Sequence, residues 1–283
     1  GHTIGAYDKN GYNEELSSAT KRIAIPTLGI TETSTDVELN MGDPETLKKF
    51  VQWGVNNYYA QNYMLLFTSH GNGWRKKRRT LANNSLPMKS ICQDRTNGDT
   101  LTMKEVQSAL SEALEIPSGG SKLDIVAFDA CLMGMVEVAY ELKDVAKYMI
   151  ASPANIPGYG FPYYYMMNSL IQMKNKFTLD LAMRSIVDTY IDVYTKGGLV
   201  DFSESDFDYK QRDTIVVDSK VELSVVDLSK MDQVAADIND AAYEFLSQGY
   251  TCGDSWLKAQ KYKDDNDTLI SLDIKSFCNY TVG

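Results

Sequence analysis

The chain has 283 residues, 43% hydrophobic and 23% charged, a composition that suits one large α/β domain or a domain with a subdomain and excludes wholesale disorder. Its formal net charge is −10, which disfavours a nucleic-acid partner. No apolar run reaches membrane-spanning length, and the first residues carry no secretory-leader pattern, so nothing about export is read from them.

Taken in chain order, Arg22 to Ile30 is rich in β-branched and apolar residues and reads as a first strand. Asp43-Pro44-Glu45 predicts a helix start, with Asp as N-cap, Pro at the first helical position and an acid in the first turn. That helix is expected to run to about Tyr59, and a buried strand follows over 63–68. A long polar stretch, 71–101, carries the basic run Arg75-Lys76-Lys77-Arg78-Arg79. Thr102-Met103-Lys104-Glu105 is a capping box and predicts a helix to about Leu114. Pro117, Ser118, Gly119 and Gly120 turn the chain into a second apolar strand, 123–128.

Met135 to Val145 reads as a helix, Tyr148 to Ser152 as a short strand, and Pro153 to Pro162 as a loop. Phe177 to Tyr194 has amphipathic helical spacing. Gly197 to Lys220 is an acidic, polar excursion; Val221 to Val226 reads as a strand and Asp232 to Leu246 as a helix. The alternation of strands and helices predicts an α/β fold, a mostly parallel sheet with helices on both faces. No internal repeat is visible.

Two short runs carry the chemistry. Ser69-His70-Gly71-Asn72 follows the strand Met64–Thr68, and Asp129-Ala130-Cys131-Leu132-Met133-Gly134 follows the strand Leu123–Phe128. Both therefore fall at the C-terminal ends of strands, where open α/β sheets present their reacting groups. A histidine and a cysteine meeting there make a general base and a thiolate nucleophile. The backbone N–H groups of Gly71 and Cys131 are candidates for an oxyanion hole, and N–H groups at the start of the helix after Cys131 would favour the thiolate. Taken singly, each residue has a plainer reading: Cys131 as a buried structural thiol, His70 as a surface or hydrogen-bonded side chain.

The other histidine is His2, so a His-rich metal site is excluded by count. Cys92, Cys252 and Cys278 have no CxxC or paired spacing and read mostly as buried thiols.

The segment Leu66-Phe67-Thr68-Ser69-His70-Gly71-Asn72-Gly73-Trp74 resembles the histidine segment of the clostripain-like cysteine peptidases. Leu123 to Met135, with its Asp-Ala-Cys-Leu-Met-Gly core, resembles their cysteine segment. Asn40-Met41-Gly42-Asp43-Pro44 and the Pro-Gly-x-Gly loop within Ser152–Tyr163 are also similar. The resemblance spans roughly residues 20 to 195 and resumes at Leu223-Ser224-Val225-Val226-Asp227-Leu228.

It implies a caspase-like fold, related to gingipains, legumains and caspases, with a catalytic core over 20–195, an acidic insertion over 196–220 and a C-terminal strand and helices over 221–283. It implies peptide-bond hydrolysis by a His70–Cys131 dyad, with Asp129 in the pocket for a substrate Arg or Lys. A carboxylate there pairs with a guanidinium or ammonium and rejects apolar side chains; its plainer reading is a strand-end group capping backbone N–H groups. Ser152, Asn155 and Tyr159 are further pocket candidates, on a loop expected to border the cleft.

Family members often mature by self-cleavage after the histidine strand, and Arg75, Lys76, Lys77, Arg78 and Arg79 are candidate self-substrate here. A solvated basic loop, a nuclear-localisation-like patch and an anion site are the competing readings of that run. The resemblance also implies a secreted or cell-surface protein and association with a cleaved light chain. Relatives usually carry a further strand–helix unit before the segment that corresponds to Arg22; it is not found in this sequence, and residues outside it are expected to complete the sheet.

Calcium is a cofactor only through the resemblance. Asp94 to Asp99 superficially resembles an EF-hand loop, but setting Gly98 at the sixth position puts Gln93 first and Lys104 twelfth, both wrong for calcium. Asn97-Gly98 reads as a tight turn instead. Asp201, Glu204, Asp206 and Asp208 read as a solvated acidic loop rather than a weak calcium site. Gly158-x-Gly160 is no dinucleotide fingerprint, because Pro157 and Pro162 flank it. The leading expectation is a cysteine endopeptidase cleaving after Arg or Lys. A catalytically silent caspase-like module binding basic peptides is the alternative, and a transpeptidase or ligase using the same acyl-enzyme is a third reading.

Overall fold

In a computed structural model, residues 38–73, 91–94, 96–196, 221–248, 258–263 and 272–273 are described with their side chains, and 7–8, 11–12, 21–24, 31–34 and 269–271 by backbone only. In chain order the described elements begin with the hairpin of β1 (Tyr7–Asp8) and β2 (Gly11–Tyr12) and the hairpin of β3 (Lys21–Ala24) and β4 (Thr31–Ser34). Helix α1 (Pro44–Asn57) and strand β5 (Met64–Thr68) follow. Then come β6 (Ile91–Asp94), β7 (Asp99–Leu101), α2 (Met103–Ala113), β8 (Leu123–Asp129), α3 (Val136–Leu142) and β9 (Ala146–Ala151). The remainder comprises α4 (Tyr163–Met173), α5 (Leu179–Lys196), β10 (Ser224–Asp227), α6 (Met231–Gln248), β11 (Lys261–Lys263) and β12 (Leu269–Leu272).

The central sheet has the order β10-β9-β8-β5. Strands β5, β8 and β9 are parallel, and β10 closes one side antiparallel to β9. All seven residues of β8 are buried, as an interior strand covered on both faces requires. Its side chains alternate between two cores. Val126 and Phe128 point to one containing Leu47, Val51, Val106, Leu110 and Val138, from α1, α2 and α3. Ile125 and Ala127 point to the other, with Met166 of α4 and Met183, Ile186 and Tyr190 of α5. The rings of Phe67 and Phe128, register partners on β5 and β8, stack at 5.4 Å. The molecule is thus a three-layer α/β fold, as its strand–helix alternation predicts.

Local signals explain the helix starts. Asp43 caps α1 by accepting from the Glu45 N–H at 2.9 Å, with Pro44 next. Thr102 and Glu105 form both arms of the capping box at α2.

Several expectations need correction. Of the strand expected over Arg22–Ile30, the described part lies in β3, which pairs antiparallel with β4 outside the central sheet; 25–30 lie outside the described residues. The polar stretch 71–101 contains the antiparallel β6–β7 hairpin, joined by the turn at Asn97-Gly98, where Gly98 has φ +68°. Here a buried Ile91–Leu101 register pair overrode the polar composition. Helix α4 was not expected, because its opening Tyr163-Tyr164-Tyr165 favours strand by propensity. The helix expected over 135–145 is shorter, Val136–Leu142. The acidic excursion 197–220 and the basic run 75–79 lie outside the described residues.

Candidate active site

The parallel register of β5 and β8 pairs Thr68 with Asp129, and the Ser69 N–H donates to the Asp129 carbonyl at 3.3 Å. Both segments leave the sheet at the same level. Gly71 then lies directly on the Cys131 carbonyl oxygen, and a Cβ there would come within 2.9 Å of Ala130 Cβ. Only glycine permits that approach. His70 therefore sits between two residues that touch the segment ending at Cys131. Its side chain is exposed and that of Cys131 is half-buried.

After Cys131 the chain turns sharply through Leu132, a fully buried residue at φ +63°. The Leu132 N–H donates to the Ala154 carbonyl at 3.1 Å, and the Gly134 N–H to the Ser152 carbonyl at 2.8 Å. These bonds fasten the cysteine turn to the Pro153–Pro162 loop. The Ile156 N–H donates to Cys131 Sγ at 3.3 Å, while the Ile156 carbonyl lies 3.8 Å from the same sulfur. An N–H donor at sulfur favours the thiolate. Helix α3 begins at Val136 and runs to Leu142.

Asp129 is 4% exposed. Its Oδ2 accepts from the Tyr163 hydroxyl at 2.6 Å, and that hydroxyl also lies 2.9 Å from Thr68 Oγ1. Its Oδ1 has no hydrogen-bond partner. Gly160, at φ +70°, crosses above the carboxylate, and a Cβ there would be 2.6 Å from Oδ2. The Tyr194 hydroxyl holds that crossing by donating to the Gly160 carbonyl at 2.6 Å. Burial, followed by the nearby Asp129 charge, pushes the Tyr194 hydroxyl up to about 12. Burial and the bond to Asp129 raise Tyr163 as well, so both remain proton donors at neutral pH.

Of the other pocket candidates, Ser152 is fully buried and its hydroxyl both donates to the Ala154 carbonyl and accepts from the Ala154 N–H, at 3.0 Å each. It shapes the loop. Asn155 is half-buried and Tyr159 is 48% exposed on the same loop. Tyr163, Gly160, Leu132 and Ile156 were not anticipated as site residues. No spacing rule joins 129 to 163; the available signal was chemical, because a carboxylate in an apolar strand needs a donor, and hydroxyl-bearing aromatics follow the loop.

Cys92 sits on the β6–β7 hairpin, and burial pushes its thiol up to about 12. Among the described residues no group of three or more His, Cys, Asp or Glu is arranged to hold a metal ion. Asp94 accepts from the Met41 and Asn97 N–H groups, and Asp99 from the Asn40 amide and the Thr100 N–H. No helix among the described residues is long and apolar enough to cross a membrane.

A mostly parallel sheet that brings a histidine turn and a cysteine turn together at the ends of neighbouring strands defines the caspase-like class, and solved C11 cysteine proteases share the fold. A secreted C11 cysteine protease from Bacteroides thetaiotaomicron, in complex with an irreversible peptide inhibitor, superposes with a TM-score of 0.59 at 24% identity, covering 92% of this chain and 66% of that one. The B. thetaiotaomicron protease iotapain gives 0.62 at 18% identity, covering 93% and 66%. An inactive zymogen C11 protease from Parabacteroides distasonis gives 0.57 at 20%, covering 92% and 62%.

This chain belongs to the clostripain family, peptidase C11, whose model matches residues 3–282. Clostripain of Hathewaya histolytica is 37% identical over 142 residues, 46% of this chain but 25% of clostripain. The chain thus spans a quarter of that relative in the match and just under two thirds of the solved chains.

Proposed function

We propose that this chain is the catalytic part of a cysteine endopeptidase that cleaves after Arg or Lys. The observation that carries the reading is the Asp129 carboxylate, 4% exposed, with one oxygen unpartnered, two residues before Cys131. A buried carboxylate without its full set of partners costs several kcal/mol, a cost offset when a substrate cation pairs with it. Family membership and the fold support the reaction class. Two of the structural neighbours are secreted proteases, which supports a secreted or cell-surface location.

In this reading Cys131 Sγ, its proton passed to His70, attacks the scissile carbonyl carbon, and the carbonyl π pair moves to oxygen. The N–H groups of Gly71 and Cys131 receive that oxyanion, a role worth about 10²–10³ in rate per donor. Collapse breaks the C–N bond, and His70 gives its proton to the leaving amine. Water then attacks the thioester, passing a proton to His70, and the C–S bond breaks to release the acid. The substrate's basic side chain is directed to Asp129 Oδ1, the oxygen without a partner. Maturation occurs by cutting within Arg75–Arg79, and the fragment carrying β5 and His70 stays bound through the β5–β8 ladder.

Intact mass and N-terminal sequencing of wild type and Cys131→Ala test this directly. Cutting within 75–79 in the wild type alone, with Cys131 labelled by arginyl or lysyl acyloxymethyl ketones, is the expected result. Failure of both probes to label Cys131 overturns the reading and leaves a silent module that binds basic peptides.

A further inference from the structure

We infer that Tyr163 is a specificity-determining residue: it holds Oδ2 of Asp129, which the Gly160 backbone also crosses, and so leaves Oδ1 as the oxygen open to the substrate side chain, so that this chain cleaves after Lys at least as readily as after Arg. The inference rests on the peptidase reading above and deepens it.

The two carboxylate oxygens are not equivalent. Oδ2 accepts from the Tyr163 hydroxyl at 2.6 Å, and the Gly160 backbone crosses close above it. Oδ1 has no partner. Tyr163 is the first residue of α4, and its hydroxyl is held from a second side by Thr68 Oγ1 at 2.9 Å, on the strand that leads to His70. The hydroxyl is therefore fixed by two strand ends and a helix start. Burial and the bond to Asp129 keep its proton in place, so it does not yield Oδ2 by ionising.

The two basic side chains use a carboxylate differently. A guanidinium gains its advantage from two parallel N–H···O bonds to both oxygens. An ammonium is a compact point charge that needs one oxygen and can direct its other donors to carbonyls or water. With one lone pair of Oδ2 taken by Tyr163 and the Gly160 backbone crossing close above that oxygen, the second tine of the fork finds a weaker acceptor and Arg loses its usual edge. Removing the Tyr163 hydroxyl frees Oδ2 and restores the fork.

The test uses the full chain, processed to constant mass, and peptide substrates identical except for Lys or Arg before the scissile bond. In wild type the Arg:Lys ratio of kcat/KM is expected to be about 1 or less. Tyr163→Phe is expected to raise it about 10-fold or more, the worth of one charge-assisted hydrogen bond, mainly through KM for the Arg substrate. Thr68→Val keeps the Tyr163–Asp129 bond and is expected to hold the wild-type ratio.

A wild-type ratio above about 3 overturns the inference, and that measurement does not depend on Tyr163→Phe folding. A Tyr163→Phe protein whose Arg:Lys ratio stays at the wild-type value, whether or not activity on both substrates falls, also overturns it, because Tyr163 then only supports the carboxylate. Failure of the underlying peptidase reading is distinguished by the absence of Cys131 labelling in wild type by either probe.

Discussion

Asp129 concentrates the conflict between stability and activity in a single side chain. Its charge is buried beside Tyr163, with Oδ1 unpartnered. Asp129→Asn keeps an acceptor for Tyr163 and removes the buried charge. We expect urea unfolding to show stability equal to or above wild type, while kcat/KM on basic substrates falls about 100-fold or more. A matched loss of both would assign Asp129 to structure alone. Gly160→Ala is the complementary change: φ +70° and a Cβ 2.6 Å from Oδ2 predict a cost of about 1–2 kcal/mol from backbone strain alone, with substrate binding weakened further.

The two described thiols differ in the same physical terms. Cys92, raised by burial from 9.0 to about 12, stays neutral where an unfolded thiol ionises. The sign follows: its contribution to stability is complete below pH 9 and is lost as pH rises from 9 towards 12. Peptide mapping after iodoacetamide treatment should show Cys131 modified at pH 8 and Cys92 unmodified.

At the scale of elements, caps were legible because they are local. Asp43-Pro44 and Thr102–Glu105 need only their own neighbours, and both helices start where those residues stand. Thr102→Ala removes a cap side chain that accepts from Glu105 N–H, and we expect a loss of about 1 kcal/mol in denaturant unfolding. The strands before His70 and Cys131 were legible as apolar runs bounded by turn residues. The β6–β7 hairpin was not, because Asp94 and Asp99 look solvent-facing in sequence. In the structure they accept from Met41 N–H and the Asn40 amide, 53 and 59 residues away. Helix α4 was also obscured: three tyrosines suggest a strand, but Tyr163 is held by Asp129 and Thr68, and Met166 packs into the core beneath α5.

Across the whole molecule, stability is shared by two cores divided by β8. Phe128 is fully buried in one of them and stacks on Phe67. Phe128→Ala is expected to cost about 3–5 kcal/mol, read as a shift in the urea midpoint, and to weaken Cys131 labelling because the same strand carries Asp129 to the site.

The residues themselves settled the class of the sheet, the starts of α1 and α2 and the two turns that bear His70 and Cys131, because periodicity and capping act over a few neighbouring positions. Tertiary packing alone decided that β10 runs antiparallel, that Ile156 lies against the sulfur, and that Tyr163 takes one oxygen of Asp129. Those contacts join segments 25 to 34 residues apart or more, and a hydrogen bond across such a distance depends on how layers pack, which no local pattern encodes.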